Sequence, residues 1–485
     1  MAQSDSGAQA GSHSTPKREL NLFDTTSIIV SIVLGTGIYM TTPSIAGKVP
    51  SVAWLFGVWI AGAALSFVGA LCYGELTTMH PRAGGDYFYL TRAYGRDPGF
   101  LFAWSELWIT RPGNIGALAF VFAQYAYQLW PWAKNMTGSI EVWPWGEVTV
   151  KAVALLVYAA APVVLLTWVN IVGVREGKWT QNALTILKLA GPVMILVAGL
   201  MFSSEAQAGA APAAAAPFER PFDFGAVKLA LILVLFTYGG WSEIATVGAE
   251  VRNPEKNMLR SLLLGVGAVT VIYLVLNYMF LHVLGFEGFG KAGEGVATDT
   301  VRPVFGEIGA KLISLMITIS ALGAMSAQIF TGGRIYYAMG KDHPIYAWLG
   351  RWNERSGTPV RSLVLQAAAS VALIVVFGLS ESKEAKAFEQ LVGFTAPLFW
   401  AFFTMVGLSV FVFRTFEPNA PRPFRVPWFP LPPILFCLMT VFMLYASIDY
   451  AINFGGNKTF WWVGVMAVGI AMVFVNRFLT PKQQE

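Results

Sequence analysis

The chain has 485 residues, of which 55% are hydrophobic and only 13% charged. Soluble domains carry about 25% charged residues, so this composition, with a mean hydropathy of +0.56, excludes an ordinary soluble protein. The formal charge of +5 follows from basic loops at one membrane face and gives no sign of nucleic-acid binding.

Apolar runs long enough to cross a bilayer recur along the chain. They predict spans 1 to 12 near 26–46, 52–78, 99–129, 149–170, 180–202, 227–251, 261–284, 306–338, 361–379, 388–413, 430–450 and 459–478. The predicted fold is therefore an all-α integral membrane protein of about twelve transmembrane helices. Residues 1–20 read as a disordered cytoplasmic tail, rich in Ser, Gly and Ala. Span 1 has a polar tail before it and glycines at its middle, unlike a cleaved signal peptide.

Span 1 carries Gly35-Thr36-Gly37 at mid-depth, and span 6 carries Gly239-Gly240. Glycine inside a helix costs about 1 kcal/mol relative to alanine, and unpaired backbone in lipid costs more. Two such breaks at equivalent places in two halves point to a binding site at the membrane midplane. A helix that stops near Leu34 frees carbonyls; its restart near Tyr39 frees amides and a partial positive charge. Free amides can donate to a carboxylate, and free carbonyls can accept from an ammonium group. Span 6 offers a second set around Phe236, Thr237 and Gly239. Together they suit the zwitterion of an α-amino acid.

Five spans precede the Ala-rich segment after Met201 and five follow it before Arg414. An odd number per half inverts the second half, so spans 1–5 (21–202) and 6–10 (225–413) read as a five-plus-five inverted repeat with broken helices 1 and 6. Residues 203–224 read as an external loop, 414–478 as two additional helices, and 479–485 as a cytoplasmic tail. Arg334, Arg351, Arg355 and Arg361 place both termini inside by the positive-inside rule. The location expected is the plasma or bacterial inner membrane.

Lys188 lies well inside span 5. A charge at that depth costs roughly 2.5–3.5 kcal/mol on insertion scales and is a functional candidate by default. Cys72 and Cys437 fall inside spans, and four scattered histidines show no metal-ligand spacing. No metal or cofactor is expected. No nucleophile–base pair or phosphate loop occurs, so neither an enzyme nor an ATP-driven pump is expected.

Long ordered motifs carry a resemblance. They are Gly35-Thr36-Gly37-Ile38-Tyr39, Gly69-Ala70-Leu71-Cys72-Tyr73-Gly74-Glu75-Leu76, Gly84-Gly85-Asp86-Tyr87 and Arg111-Pro112. They continue with Phe236-Thr237-Tyr238-Gly239-Gly240-Trp241, Glu250-Val251-Arg252-Asn253-Pro254 and Arg422-Pro423-Phe424-Arg425-Val426-Pro427. Over nearly its whole length the chain resembles the amino acid–polyamine–organocation superfamily. More narrowly it is similar to the L-type amino acid transporters, the light subunits of heteromeric exchangers, and their bacterial relatives.

The resemblance implies substrate contacts from Val33, Thr36, Gly37 and Ile38 on span 1 and from Phe236, Thr237 and Gly239 on span 6. It adds Trp241, and Asn114 on span 3, and makes Phe236 the aromatic gate. It places the Lys188 ammonium where sodium-coupled relatives hold sodium, with Ser326 or Gln328 on span 8 as its partner. Glu243 departs from the family pattern. It reads either as a selectivity or proton group or as the partner of a basic side chain. Glu106 and Arg111 read as a structural or gating charge set. The linking cysteine of the animal light chains is missing between spans 3 and 4, so no disulfide-linked heavy chain is expected.

The function expected is sodium-independent transport of L-amino acids, with exchange of neutral amino acids by alternating access. The alternatives are a proton-coupled importer, a cationic amino acid or polyamine transporter, and a transporter-like nutrient sensor.

Overall fold

The computed structural model describes residues 18–82, 84–132, 136, 138–142, 146–202, 220–379, 384–454 and 460–479. The tail before residue 18, the whole segment 203–219 and the last six residues lie outside these. The expectations for both tails and the external loop fall largely there.

Helix α1 (Leu22–Val33) begins at a capping box. The Asn21 amide donates to Asp24 and the Asp24 amide to Asn21 Oδ1, at 3.0 and 2.9 Å. The chain then bends by 47° into α2 (Gly37–Lys48). It continues as α3 (Val52–Met79), α4 (Asp86–Tyr94) and α5 (Arg96–Ser105). A π-helical turn (Glu106–Thr110) leads into α6 (Arg111–Leu129).

A two-stranded antiparallel hairpin, β1 (Ser139–Val142) and β2 (Gly146–Thr149), precedes α7 (Val150–Val172). Then follow α8 (Val174–Met201) and α9 (Phe224–Thr237). After the second break the chain restarts as 3₁₀ turns (Trp241–Thr246, Gly248–Glu250) rather than an α-helix. The remaining helices are α10 (Pro254–Lys291), α11 (Val296–Asp342), α12 (Val360–Leu379), α13 (Glu384–Phe416), α14 (Leu431–Phe454) and α15 (Trp461–Leu479).

Among the described residues ten helices are long and apolar enough to cross a bilayer, or eleven if the bent pair α1–α2 is counted as one span. This is a multi-pass, all-α membrane protein. Two expectations need correction. The hairpin was not foreseen, because short exposed strands lack an apolar pattern. Helices α10 and α11 also outrun spans 7 and 8: α11 has 47 residues, about 70 Å at 1.5 Å per residue. Gly285 (φ 67°) and Gly306 (φ 60°) break them, and the residues between form helices beyond the predicted spans.

At the end of the bundle that carries Leu20, several of the quoted motifs hold neighbouring elements together. Glu75 accepts from Arg414 Nε and NH2 at 2.9 and 2.6 Å and from the Val426 amide at 2.7 Å. That anchors the proline-rich loop to α3. Arg334 grips Glu250 through both carboxylate oxygens at 2.5 and 2.8 Å, and Leu20 pairs with Val251 in a single bridge. Gly85 (φ 47°) sits where a Cβ would lie 2.8 Å from the Ala245 carbonyl carbon, so only glycine permits this approach.

Candidate functional site

The two breaks face each other. A Cβ on Gly240 (φ 101°) would lie 2.3 Å from Ile32 Cγ2, and one on Gly37 would lie 3.5 Å from Thr237 Cγ2. The Thr41 and Thr237 hydroxyls are 2.7 Å apart and join α2 to α9. Between the breaks, α6, α11 and α13 complete a cavity of about 940 Å³ counted out to its mouth.

Val33, Gly35, Thr36, Gly37, Asn114, Phe236, Thr237, Gly239, Glu243 and Gln328 all line this cavity. Residues from predicted spans 1, 3, 6 and 8, far apart in sequence, therefore meet at one place. Thr36 and Gly37 open α2, where backbone amides have no acceptor in a preceding turn. That helix end presents donors and a positive dipole to the cavity. Phe236 is half-buried on the cavity wall. Asn114 Oδ1 accepts from Thr395 of α13 at 3.4 Å.

Two expected contacts lie elsewhere. Ile38 is fully buried. Trp241 is 3% exposed and packs edge-on against Tyr73, ring centres 5.2 Å apart, beside Phe403. Gly69 makes room for it, since a Cβ there would lie 2.7 Å from the indole. Neither residue lines the main cavity; Trp241 borders a small apolar pocket beside it.

Lys188, 1% exposed, reaches from α8 to the end of α1. Its ammonium donates to the Ser31 carbonyl at 2.5 Å and the Leu34 carbonyl at 2.8 Å. Ser320 of α11 also donates to Leu34, at 3.4 Å. Gly323 leaves space for the lysine stem, because a Cβ there would lie 3.0 Å from Lys188 Cε.

The expectation that Ser326 or Gln328 holds the lysine is corrected by these bonds. Gln328 faces the cavity and accepts from Arg111 at 3.4 Å. The Ser326 hydroxyl is buried without a hydrogen-bond partner among the described residues. The helix carbonyls freed by the break satisfy the ammonium directly.

Sequence reading missed Tyr273 of α10. Its hydroxyl lies 2.6 Å from the Val33 carbonyl and 3.1 Å from the Thr237 carbonyl. One buried group thus ties the stops of α1 and α9 together. Trp59 and Tyr238 pack edge-on against its ring. Not all freed carbonyls are left for a ligand: Lys188 takes two and Tyr273 shares two.

Glu243 lines the cavity as the partner of a basic group. Arg111 NH2 lies 2.7 Å from Glu243 and 3.1 Å from Glu106. Of the two readings of Glu243, the pairing with a basic side chain describes its contacts. Among the described residues no group of metal-ligating side chains is brought together.

Comparison with known proteins adds the family. The chain is 26% identical over 441 residues to the b(0,+)-type amino acid transporter 1 of Mus musculus, covering 89% of this chain and 83% of that one. It is 27% identical over 434 residues to the serine/threonine exchanger SteT of Bacillus subtilis (strain 168), covering 89% and 91%. It is 27% identical over 456 residues to the large neutral amino acids transporter small subunit 2 of Homo sapiens, covering 92% and 79%. These relatives are transporters, not enzymes. Residues 20–475 match the amino acid permease family, and with paired broken helices around one cavity the chain belongs to that family of membrane amino acid transporters.

Proposed function

We propose that the protein is a sodium-independent exchanger of neutral L-amino acids that works by alternating access. The observation that carries this reading is the Lys188 ammonium on the Ser31 and Leu34 carbonyls. A fixed cation there does the work that a sodium ion does where such an ion ties the first span to its neighbours. The substrate carboxylate sits at the amide end of α2, its ammonium meets carbonyls at the breaks, and Phe236 closes over it.

Exchange and neutral side chains are supported by the names of two relatives, a serine/threonine exchanger and a large neutral amino acids transporter. Gly239 brings no acidic side chain to the cavity, which argues against cationic amino acids or polyamines. In this reading the path Arg96–Leu129 is a twelfth span, 21–202 and 225–413 are the inverted halves, and both termini are cytoplasmic. The protein works without a disulfide-linked heavy chain. A second reading, proton-coupled import, is kept by one observation: Lys188 bonds to uncharged carbonyls and to no carboxylate among the described residues.

Proteoliposomes test both readings. When external sodium is replaced by choline, the initial exchange rate stays within twofold; a tenfold drop refutes the fixed cation. Uphill uptake driven by a pH gradient selects the proton-coupled reading.

A further inference from the structure

Arg111 is 2% exposed and opens α6 directly after the π turn. A π turn adds a residue to the helix repeat and is frequent at functional positions. Here Glu106 and Arg111, at the two ends of that turn, come within 3.1 Å. Arg111 also reaches Thr331 at 3.3 Å and Gln328 at 3.4 Å. Gly332 leaves room for its stem, since a Cβ there would lie 3.1 Å from Arg111 Cγ and Cδ.

Glu243 lines the main cavity and also a second, much narrower crevice toward the Leu20 end of the bundle. Glu106, Arg111 and Asp86 line only the second. Glu243 is thus part of the wall between the two, gripped from behind by Arg111. Among the described residues lining either cavity, Arg111 is the one cation. Its guanidinium lies closer to Glu243 (2.7 Å) than to Glu106 (3.1 Å). Glu106 and Asp86 stand on the side of the second cavity, and Glu243 is the carboxylate that Arg111 holds at the main one. The main cavity is left neutral.

We propose that Arg111 masks Glu243 and so sets the charge selectivity of the substrate cavity. While the pair is formed, the cavity offers no free carboxylate to a cationic side chain and no free guanidinium to an acidic one. A neutral side chain loses nothing by facing the pair. A charged one gives up hydration without gaining a counter-ion. Selectivity is then held by a removable partner rather than by the absence of charge. This inference rests on the amino acid transport proposed above and names its side-chain class.

Near-isosteric competitors separate charge from shape. In proteoliposomes taking up radiolabelled leucine or serine, citrulline should compete at least tenfold better than arginine, and glutamine at least tenfold better than glutamate. The Glu106→Gln/Arg111→Gln variant leaves Glu243 as a lone carboxylate on the cavity wall. Its arginine-to-citrulline preference should rise at least tenfold. The Glu106→Gln/Glu243→Gln variant removes both carboxylates that Arg111 pairs with, and its glutamate-to-glutamine preference should rise at least tenfold.

Opposite shifts in the two variants mark masking, because a purely structural role would lower all competitors together. Size-exclusion chromatography identifies folded protein, and either folded variant alone decides. Unchanged selectivity in a folded variant, or wild-type protein that prefers arginine to citrulline, overturns the masking. Absence of any wild-type amino acid uptake instead overturns the transport reading on which it rests.

Discussion

Replacing Lys188 tests the site at its least redundant point. The ammonium makes two charge-assisted hydrogen bonds to carbonyls at the end of α1, at 2.5 and 2.8 Å. Bonds of this kind contribute about 1.5–3 kcal/mol each. Lys188→Met keeps most of the stem volume and removes the charge, so it separates bonding from packing. The Ser31 carbonyl loses its side-chain partner, and Leu34 keeps only Ser320 at 3.4 Å.

Losing the weaker bond alone costs about 1.5 kcal/mol, and a tenfold change in an equilibrium corresponds to about 1.4 kcal/mol. The equilibrium between the binding-competent shape of the α1–α2 break and its collapsed alternatives should therefore shift at least tenfold, and the apparent Kd should rise by up to that factor. Equilibrium binding of radiolabelled amino acid to purified protein measures it, with a thermal melt to confirm folding. Folded Lys188→Met protein with wild-type affinity would refute the argument, since the break would then hold its shape without the amine.

Tyr273→Phe removes the hydroxyl shared by the Val33 and Thr237 carbonyls. The Val33 carbonyl keeps the Gly35 amide, while an unsatisfied buried acceptor at Thr237 costs about 1–3 kcal/mol, so affinity should fall by up to roughly five- to 150-fold with little change in aromatic packing; equal affinity in the same assay rejects this role. Phe236→Ala should lower exchange in proteoliposomes at least tenfold while the protein stays folded, and near-normal exchange returns Phe236 to ordinary packing. His343, buried just past the end of α11, has its imidazole pKa held below the ordinary value by burial. The folded state thus favours the neutral ring. This contribution is fully present above the unfolded pKa of about 6.5 and is lost as pH falls through the folded value. The fall in melting temperature on acidification should be shallower in His343→Gln, and parallel curves would exclude the contribution.

The apolar character of most spans and the two breaks were legible in the chain because the bilayer admits few solutions. Backbone must be satisfied internally, so glycines at mid-span and a lysine in an apolar run stand out. Gly35, Gly37, Gly239 and Lys188 announced themselves by cost alone. The 3₁₀ restart after Gly240 was not legible, because its geometry depends on contact with Ile32 in another span.

Side-chain direction and partnership were decided only in three dimensions. Tyr273 looks like any tyrosine in a membrane helix until α10 lies beside both breaks. Trp241 sits in the motif yet turns into a slot opened by Gly69. Glu243 is a lone carboxylate in sequence, and its partner Arg111 stands 132 residues away. Local cost can mark where a helix breaks or a charge is buried, but which group satisfies the exposed carbonyl or carboxylate depends on how the spans rotate and pack, and that is a property of the whole bundle.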